Sequence, residues 1–299
     1  MKYINKCTIC KHDEFRNIGT PRIDKNFPRK NTSDYLILQC KKCGYYFISP
    51  EIDLTIEEWQ ILYENEYFLG EDITRWQKRL RESERKKRLG IIINRLKCNN
   101  GNFLDMGCGE GYLLKDAEKI GFSTYGVDIA NNILNENSGC NFFKGSIFEA
   151  NFPDNFFKVI YMDSVLEHII NPMETLSELK RILEPGGVIF LIVPNEDSLV
   201  NSFIKWIYIL LGQKSKYGKI KPFVSPYHIQ GFNNKSLTTA LNNCGFRNIE
   251  INGFGGNYTF WKAYKFASKN YFQSLITYPI GLISILTNQQ IQLMAIASK

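Results

Sequence analysis

Long hydrophobic runs are missing from this chain. Nowhere in its 299 residues do 18 apolar residues follow one another, so no segment reads as a membrane-spanning helix. The opening MKYINKCTIC lacks the apolar core of a secretory signal, and the expected compartment is the cytoplasm. Histidine is scarce: only His12, His168 and His228 are present, so chemistry that needs an imidazole has three places to be. Disulfides are not expected in that compartment, which leaves eight cysteines to be explained otherwise. With 44% hydrophobic and 22% charged residues, the chain is a packed globular protein, not a disordered or fibrous one. Its length corresponds to roughly two domains.

The net charge of +7 is local. Residues 1–50 carry 10 basic and 4 acidic side chains, residues 51–74 carry 8 acidic and none basic, and residues 75–97 carry 10 basic and 2 acidic. The rest of the chain, with 17 against 16, is nearly neutral. Within 75–97, Leu89, Ile92, Ile93 and Leu96 fall on one face of a 3.6-residue period, which predicts a helix with its Arg and Lys residues on the other, solvated faces. A basic surface for phosphates is the sharper reading of those residues.

Four cysteines form two CxxC knuckles, Cys7–Cys10 and Cys40–Cys43. Two such knuckles have the ligand set of a four-cysteine zinc ribbon, although the 29 residues between them exceed the usual ~15–20. Residues 35–39 and 45–48 read as strands flanking the second knuckle. Cys98, Cys108, Cys140 and Cys244 have no ligand spacing and read as small fillers.

From residue 98 strands and helices alternate, the pattern of a parallel α/β sheet. Strands are expected to end at Asp105, Asp128 and Asp163, with a fourth at 141–144. A helix is expected from Pro172 behind an Asn171 cap, and a buried strand over 188–193 after Pro185-Gly186-Gly187. The first turn reads Asp105-Met106-Gly107-Cys108-Gly109-Glu110-Gly111. Alternate glycines let the backbone approach a ligand and present N–H groups at a helix start. A dinucleotide site would need glycine at 112, where Tyr112 stands. Asp105 suits an ammonium group, and Asp128 is placed for both ribose hydroxyls. One ammonium, one ribose and no phosphate describe S-adenosylmethionine (SAM).

LDMGCGEG, GVDI, MDSVLEH and LEPGGVIFLIVPN together resemble the class I SAM-dependent methyltransferases, densely over about residues 100–195. The resemblance implies a Rossmann-like seven-stranded sheet with helices on both faces, completed by strands near 248–252 and 291–297. It implies that Asp105 and the backbone of Gly107, Gly109 and Gly111 hold the methionine part of SAM, that Asp128 holds the ribose, that Ile129 packs on the adenine and that Asp163 belongs to the cofactor site. Ser146, followed by Ile147, stands where an adenine-reading Asp is common. Lys158 replaces a usual Asp before the fourth strand.

The expected organisation is a zinc ribbon (1–50), a helical linker or cap (51–97) and a methyltransferase domain (98–299) with lid insertions at about 196–224 and 254–288. Both insertions are aromatic and aliphatic. They read as a lid or a homodimer contact, with docking on a membrane surface or a lipid-linked acceptor as the alternative. Methyl transfer needs alignment, and for a hydroxyl acceptor a base. His168, in Leu166-Glu167-His168, follows the fourth strand, and His228 follows a basic loop (Lys214, Lys216, Lys219, Lys221). Both are candidate bases, whereas His12 lies inside the ribbon. A ribbon before a SAM domain resembles methyltransferases of surface glycans and deoxysugars, among them nucleotide-sugar C-methyltransferases. In those, a Glu-His pair matching Glu167-His168 and an N-terminal tyrosine take part; Tyr63 and Tyr67 are counterparts to consider. Those enzymes carry a further C-terminal domain beyond the length of this sequence, so O- or N-methylation of a sugar or another small metabolite, in surface polysaccharide or secondary metabolite biosynthesis, is the broader expectation. An RNA methyltransferase is the alternative, favoured by the basic segments and opposed by the acidic stretch 51–74. A non-catalytic SAM-binding regulator is a third reading.

Overall fold

A computed structural model describes residues 2–21, 34–55, 57–61, 75–134, 139–212, 228–255 and 269–299. Tyr63, Tyr67, the lysines at 214–221 and Ser225–Tyr227 lie outside the described residues.

The main sheet has seven strands in the order β10-β11-β8-β7-β4-β5-β6. These are β4 (Asn102–Met106), β5 (Ser123–Asp128), β6 (Asn141–Lys144), β7 (Phe157–Asp163), β8 (Leu183–Pro194), β10 (Arg247–Phe254) and β11 (Gln292–Ser298). The strands from β4 to β8 run parallel, and β11 is antiparallel to both of its neighbours. This is the expected Rossmann-like α/β architecture. It arises because the strands are buried on both sides, so their side chains alternate between two cores. Leu104, Ile160, Met162, Ile189 and Leu191 enter one core with Leu176 and Leu179 of α3 (Pro172–Ile182) and Leu237 of α5 (Asn234–Asn243). Phe103, Val159, Tyr161 and Phe190 enter the other, with Leu89 and Ile92 of α1 (Arg75–Leu96) and Leu113 and Leu114 of α2 (Tyr112–Glu118). Two further helices, α4 (Leu199–Leu210) and α6 (Lys269–Leu286), pack on each other.

The cap expected at Asn171 is not made by its side chain. The Asn171 carbonyl instead accepts the Thr175 N–H at 3.1 Å, and Pro172 supplies the helical φ. The strand expected to begin at Val188 is already paired at Leu183, opposite Phe157, with an irregularity in between.

The N-terminal residues form β1 (Phe15–Gly19), β2 (Leu36–Cys40) and β3 (Tyr46–Ser49), an antiparallel sheet whose fourth strand is β9 (Gln230–Gly231). Cys7, Ile9, Tyr45 and Phe47 belong to the same core as α3 and α5. The Tyr45 ring lies 5.3 Å from that of Phe232, and Asn243 donates to the Ile9 carbonyl at 2.7 Å.

Candidate active site

The site is built on the edge of the sheet where the parallel strands end, the place where open α/β sheets bind ligands. Gly107, Gly109 and Gly111 have φ of 77°, 50° and 78°, a region that L-residues with a Cβ avoid. A Cβ at Gly107 would also lie 2.3 Å from Val165 Cγ2. Gly111 opens α2, so the helix's first N–H groups face the turn.

Asp128 ends β5, and its carboxylate is already oriented. Oδ2 accepts the Gly109 N–H and Oδ1 the Ala130 N–H, both at 2.9 Å. Burial raises its pKa, and these N–H groups pull it back. A carboxylate has about four lone-pair positions, so two remain for incoming hydroxyls. Asp105 is 5% exposed. Burial, then the nearby Asp163 and Asp128, holds its carboxyl well above the usual range, opposed by Arg88.

Two residues here were not singled out in the sequence. Arg88 of α1 reaches over the sheet edge. Its guanidinium bonds Asp163, donates to the Tyr161 hydroxyl at 3.0 Å and lies 5.3 Å from the Phe254 ring centroid. Its Nε is buried with no protein partner. The expectation of a wholly solvated basic face fails at Arg88 and at Arg85, which pairs with Asp116 at 2.8 Å. Both lie on the N-terminal extension of the Ile92 stripe, so the periodicity held the signal. The second residue is Asn132, whose Nδ2 is also buried and unpartnered just after Asp128.

The adenine-side candidates are less open. Ser146 is engaged through N–H and hydroxyl with Glu149, both at 2.7 Å. The Ile147 side chain is buried in the main core. Ile129 is half-buried beside Asp128.

Glu167, His168 and His228 come together. Leu166–His168 is a 3-10 turn after β7, and the Ile229 N–H donates to the Glu167 carbonyl at 2.9 Å, which brings His228 across. The two imidazole rings meet edge-on at 4.7 Å. Glu167 Oε1 lies 4.0 Å from His168 Nε2 and 3.9 Å from His228 Nε2. Glu167 is 1% exposed, and neither of its oxygens has a hydrogen-bond partner. Burial, with Asp163 and Glu196 adding repulsion, pushes its pKa up to about 8. Burial lowers that of His228 to about 4, so this imidazole is neutral at physiological pH.

The small sheet braces this cluster. Gln230 donates from Nε2 to the Ile169 and Ile170 carbonyls, both at 3.1 Å, and accepts a bond from the Tyr45 hydroxyl.

The four knuckle thiols also converge. Cys7 and Cys43 Sγ are 3.7 Å apart and Cys10 and Cys40 Sγ 3.5 Å, with all four within 4.8 Å of one another. Thiolates around tetrahedral zinc, with Zn–S of about 2.3 Å, stand ~3.8 Å apart, so the donor set fits that ion. The His12 carbonyl accepts the Cys7 N–H at 2.7 Å, and its ring is not among these ligands. The donor atoms of Glu167, His168 and His228 form the only other such group among the described residues.

A family model described as a methyltransferase domain matches residues 70–251. An uncharacterized methyltransferase of Schizosaccharomyces pombe is 32% identical over 108 residues, covering 29% of this chain and 37% of that protein. A mitochondrial ubiquinone biosynthesis O-methyltransferase of Dictyostelium discoideum is 28% identical over 172 residues, covering 50% and 51%. The chain thus spans about half, or less, of the length of these relatives. Among solved structures, a SAM-dependent methyltransferase from Archaeoglobus fulgidus superposes with a TM-score of 0.53 at 21% identity, covering 79% of this chain and all of the other, a likeness of fold.

Proposed function

We propose that this chain, which belongs to the methyltransferase-domain family, transfers a methyl group from SAM to a sugar, nucleotide-sugar or related small metabolite. The observation that carries the catalytic reading is the buried, unpartnered Glu167 carboxyl facing two imidazoles. The gaps of 3.9 and 4.0 Å exceed a hydrogen bond, so the carboxyl stands beside both rings without being bonded to either.

Bound SAM supplies an electrophilic methyl carbon on a sulfonium. Asp105, whose carboxyl burial holds well above the usual range, and Asp163 offer carboxyl oxygens to its ammonium, Asp128 receives the ribose hydroxyls, and the backbone at Gly107, Gly109 and Gly111 admits the ligand closely. Asn132 Nδ2 and Arg88 Nε are further donors at this edge. His228, kept neutral by burial, takes the acceptor's proton at Nε2, while Glu167 stabilises the resulting imidazolium and His168 packs the pair. The acceptor's lone pair forms the new bond to carbon as the S–C bond breaks, its electrons returning to sulfur. Alignment and proton removal are the chain's two contributions. Cys7, Cys10, Cys40 and Cys43 hold a structural zinc ion.

The sugar class rests on the layout of a cysteine ribbon ahead of a methyltransferase domain. Purified protein with methyl-labelled SAM, incubated with RNA, glycan and small-molecule fractions of a cell extract, is expected to label the glycan or nucleotide-sugar fraction. Glu167→Gln should lower that labelling by about 10²–10³ and leave SAM affinity unchanged by calorimetry. Label confined to RNA overturns the acceptor class, and full activity of Glu167→Gln overturns the role of the pair.

A further inference from the structure

Glu167 is buried to 1% exposure, yet neither of its carboxyl oxygens has a hydrogen-bond partner. Buried polar groups are normally bonded, and buried carboxylates are paired or bound to a metal ion. Here Oε1 faces the Nε2 atoms of His228 and His168 across 3.9 and 4.0 Å, too far for a hydrogen bond. A carboxyl and two imidazoles that approach without bonding leave a gap that a cation can fill.

The distances suit an ion. The donor atoms of the three residues all lie within 4.8 Å of one another. A single point therefore lies within about 2.8 Å of all three, and small side-chain rotations would bring them to the roughly 2.0–2.2 Å of zinc bonds to histidine and carboxylate. The backbone already fixes the three residues together. The Ile229 N–H donates to the Glu167 carbonyl at 2.9 Å, and the His168 N–H to the Val165 carbonyl at 2.9 Å. The surroundings favour positive charge, because Asp163 and Glu196 both repel a Glu167 carboxylate, and Glu196 is itself 4% exposed. Two imidazoles and one carboxylate select a borderline ion such as Zn²⁺ over Mg²⁺ or Ca²⁺.

We propose that Glu167, His168 and His228 bind a zinc-like divalent ion that competes with the acceptor and switches methyl transfer off. On binding, the Glu167 carboxyl gives its proton to water and each imidazole gives a lone pair to the ion. The ion site stands on the geometry alone. The switch rests on the proposed role of His228 as base: its Nε2 lone pair can take the acceptor's proton or hold the ion, not both. None of the three ligands is among the groups assigned to SAM, so the donor still binds. The four knuckle thiols, a softer and fuller ligand set, fill first.

The test uses the full chain carrying one zinc ion on its knuckles, titrated with Co²⁺ in metal-free buffer. One further ion per chain is expected, with visible d–d bands and no thiolate charge-transfer absorption. Glu167→Gln and His168→Asn should each weaken that binding by at least about tenfold, with SAM affinity by calorimetry confirming that each variant is folded. Zn²⁺ beyond the first equivalent should raise the KM of the acceptor and leave SAM affinity unchanged, and citrate, too weak to strip four thiols, should reverse it. No second ion, or one bound equally well by both variants, overturns the proposal and leaves the function standing. An ion that binds without slowing methyl transfer overturns the switch. An ion that speeds it overturns both the switch and His228 as base. The spectrum reads the ion site even in a chain that transfers no methyl group, so failure of the proposed function is seen separately.

Discussion

At the residue scale, Glu167 and His228 are titrating groups moved in opposite directions by the same burial. Glu167 ionises near 8 in the fold against an ordinary 4.5. Between those values the folded chain holds a proton that the unfolded chain has lost, so its contribution to stability is full below about 4.5 and falls as pH rises to about 8. His228 is lowered from 6.5 to about 4. Its contribution is full above 6.5 and is lost as pH falls toward 4. The proposed mechanism needs Glu167 as the anion that stabilises the imidazolium as it forms, so kcat/KM should climb with pH and level off above about 8. Glu167→Gln should lose both that limb and the associated slope of stability with pH. A variant profile that keeps the limb would assign it to another group. The candidacy of these residues was legible from Leu166-Glu167-His168 and His228 alone. Their convergence was not, because it depends on a backbone bond between residues 167 and 229.

At the element scale, local pattern carried the sheet well and its cross-connections poorly. The strands ending at Asp128 and Asp163 and the glycine turn before Tyr112 stand as read, and the strand expected to end at Asp105 runs one residue further, to Met106, because apolar runs and turn glycines act locally. β1 and β9 were missed. Gln230–Gly231 is a strand only because it meets β3, across nearly two hundred residues of chain. α1 was foreseen as a helix but not as part of the site, since its charge density hid the two arginines that turn inward. The Arg88–Asp163 pair is largely buried, with side chains 16% and 26% exposed. Breaking such a pair from one side leaves a charge without its partner. Arg88→Met should therefore lower stability by about 2 kcal/mol. Arg88→Met with Asp163→Asn should cost less than the two single changes together. Additive losses in a chemical-denaturation cycle would mean that the contact does not couple α1 to the sheet edge.

At the scale of the whole molecule, the cysteine module and the His168–His228 pair share one construction. The second knuckle leads into Tyr45, whose hydroxyl bonds Gln230, and into β3, which pairs with β9. Gln230 in turn grips the chain just beyond His168 and lies two residues from His228. The groups proposed to hold SAM, Asp105, Asp128 and the glycine turn, belong to β4, β5 and their loops, with no strand in common with the small sheet. Zinc in a four-cysteine site contributes on the order of 10 kcal/mol to the folding of its module. Its loss should therefore act unevenly. Cys40→Ser, or removal of the ion by a chelator, should unfold the N-terminal sheet, release β9 and lower methyl transfer by at least about tenfold, as loss of one positioned base does. SAM affinity, read by calorimetry on the same sample, should change far less. Equal loss of both would show that the sheet and the module unfold as one unit. Unchanged turnover would show that β9 holds His228 without help from the knuckles.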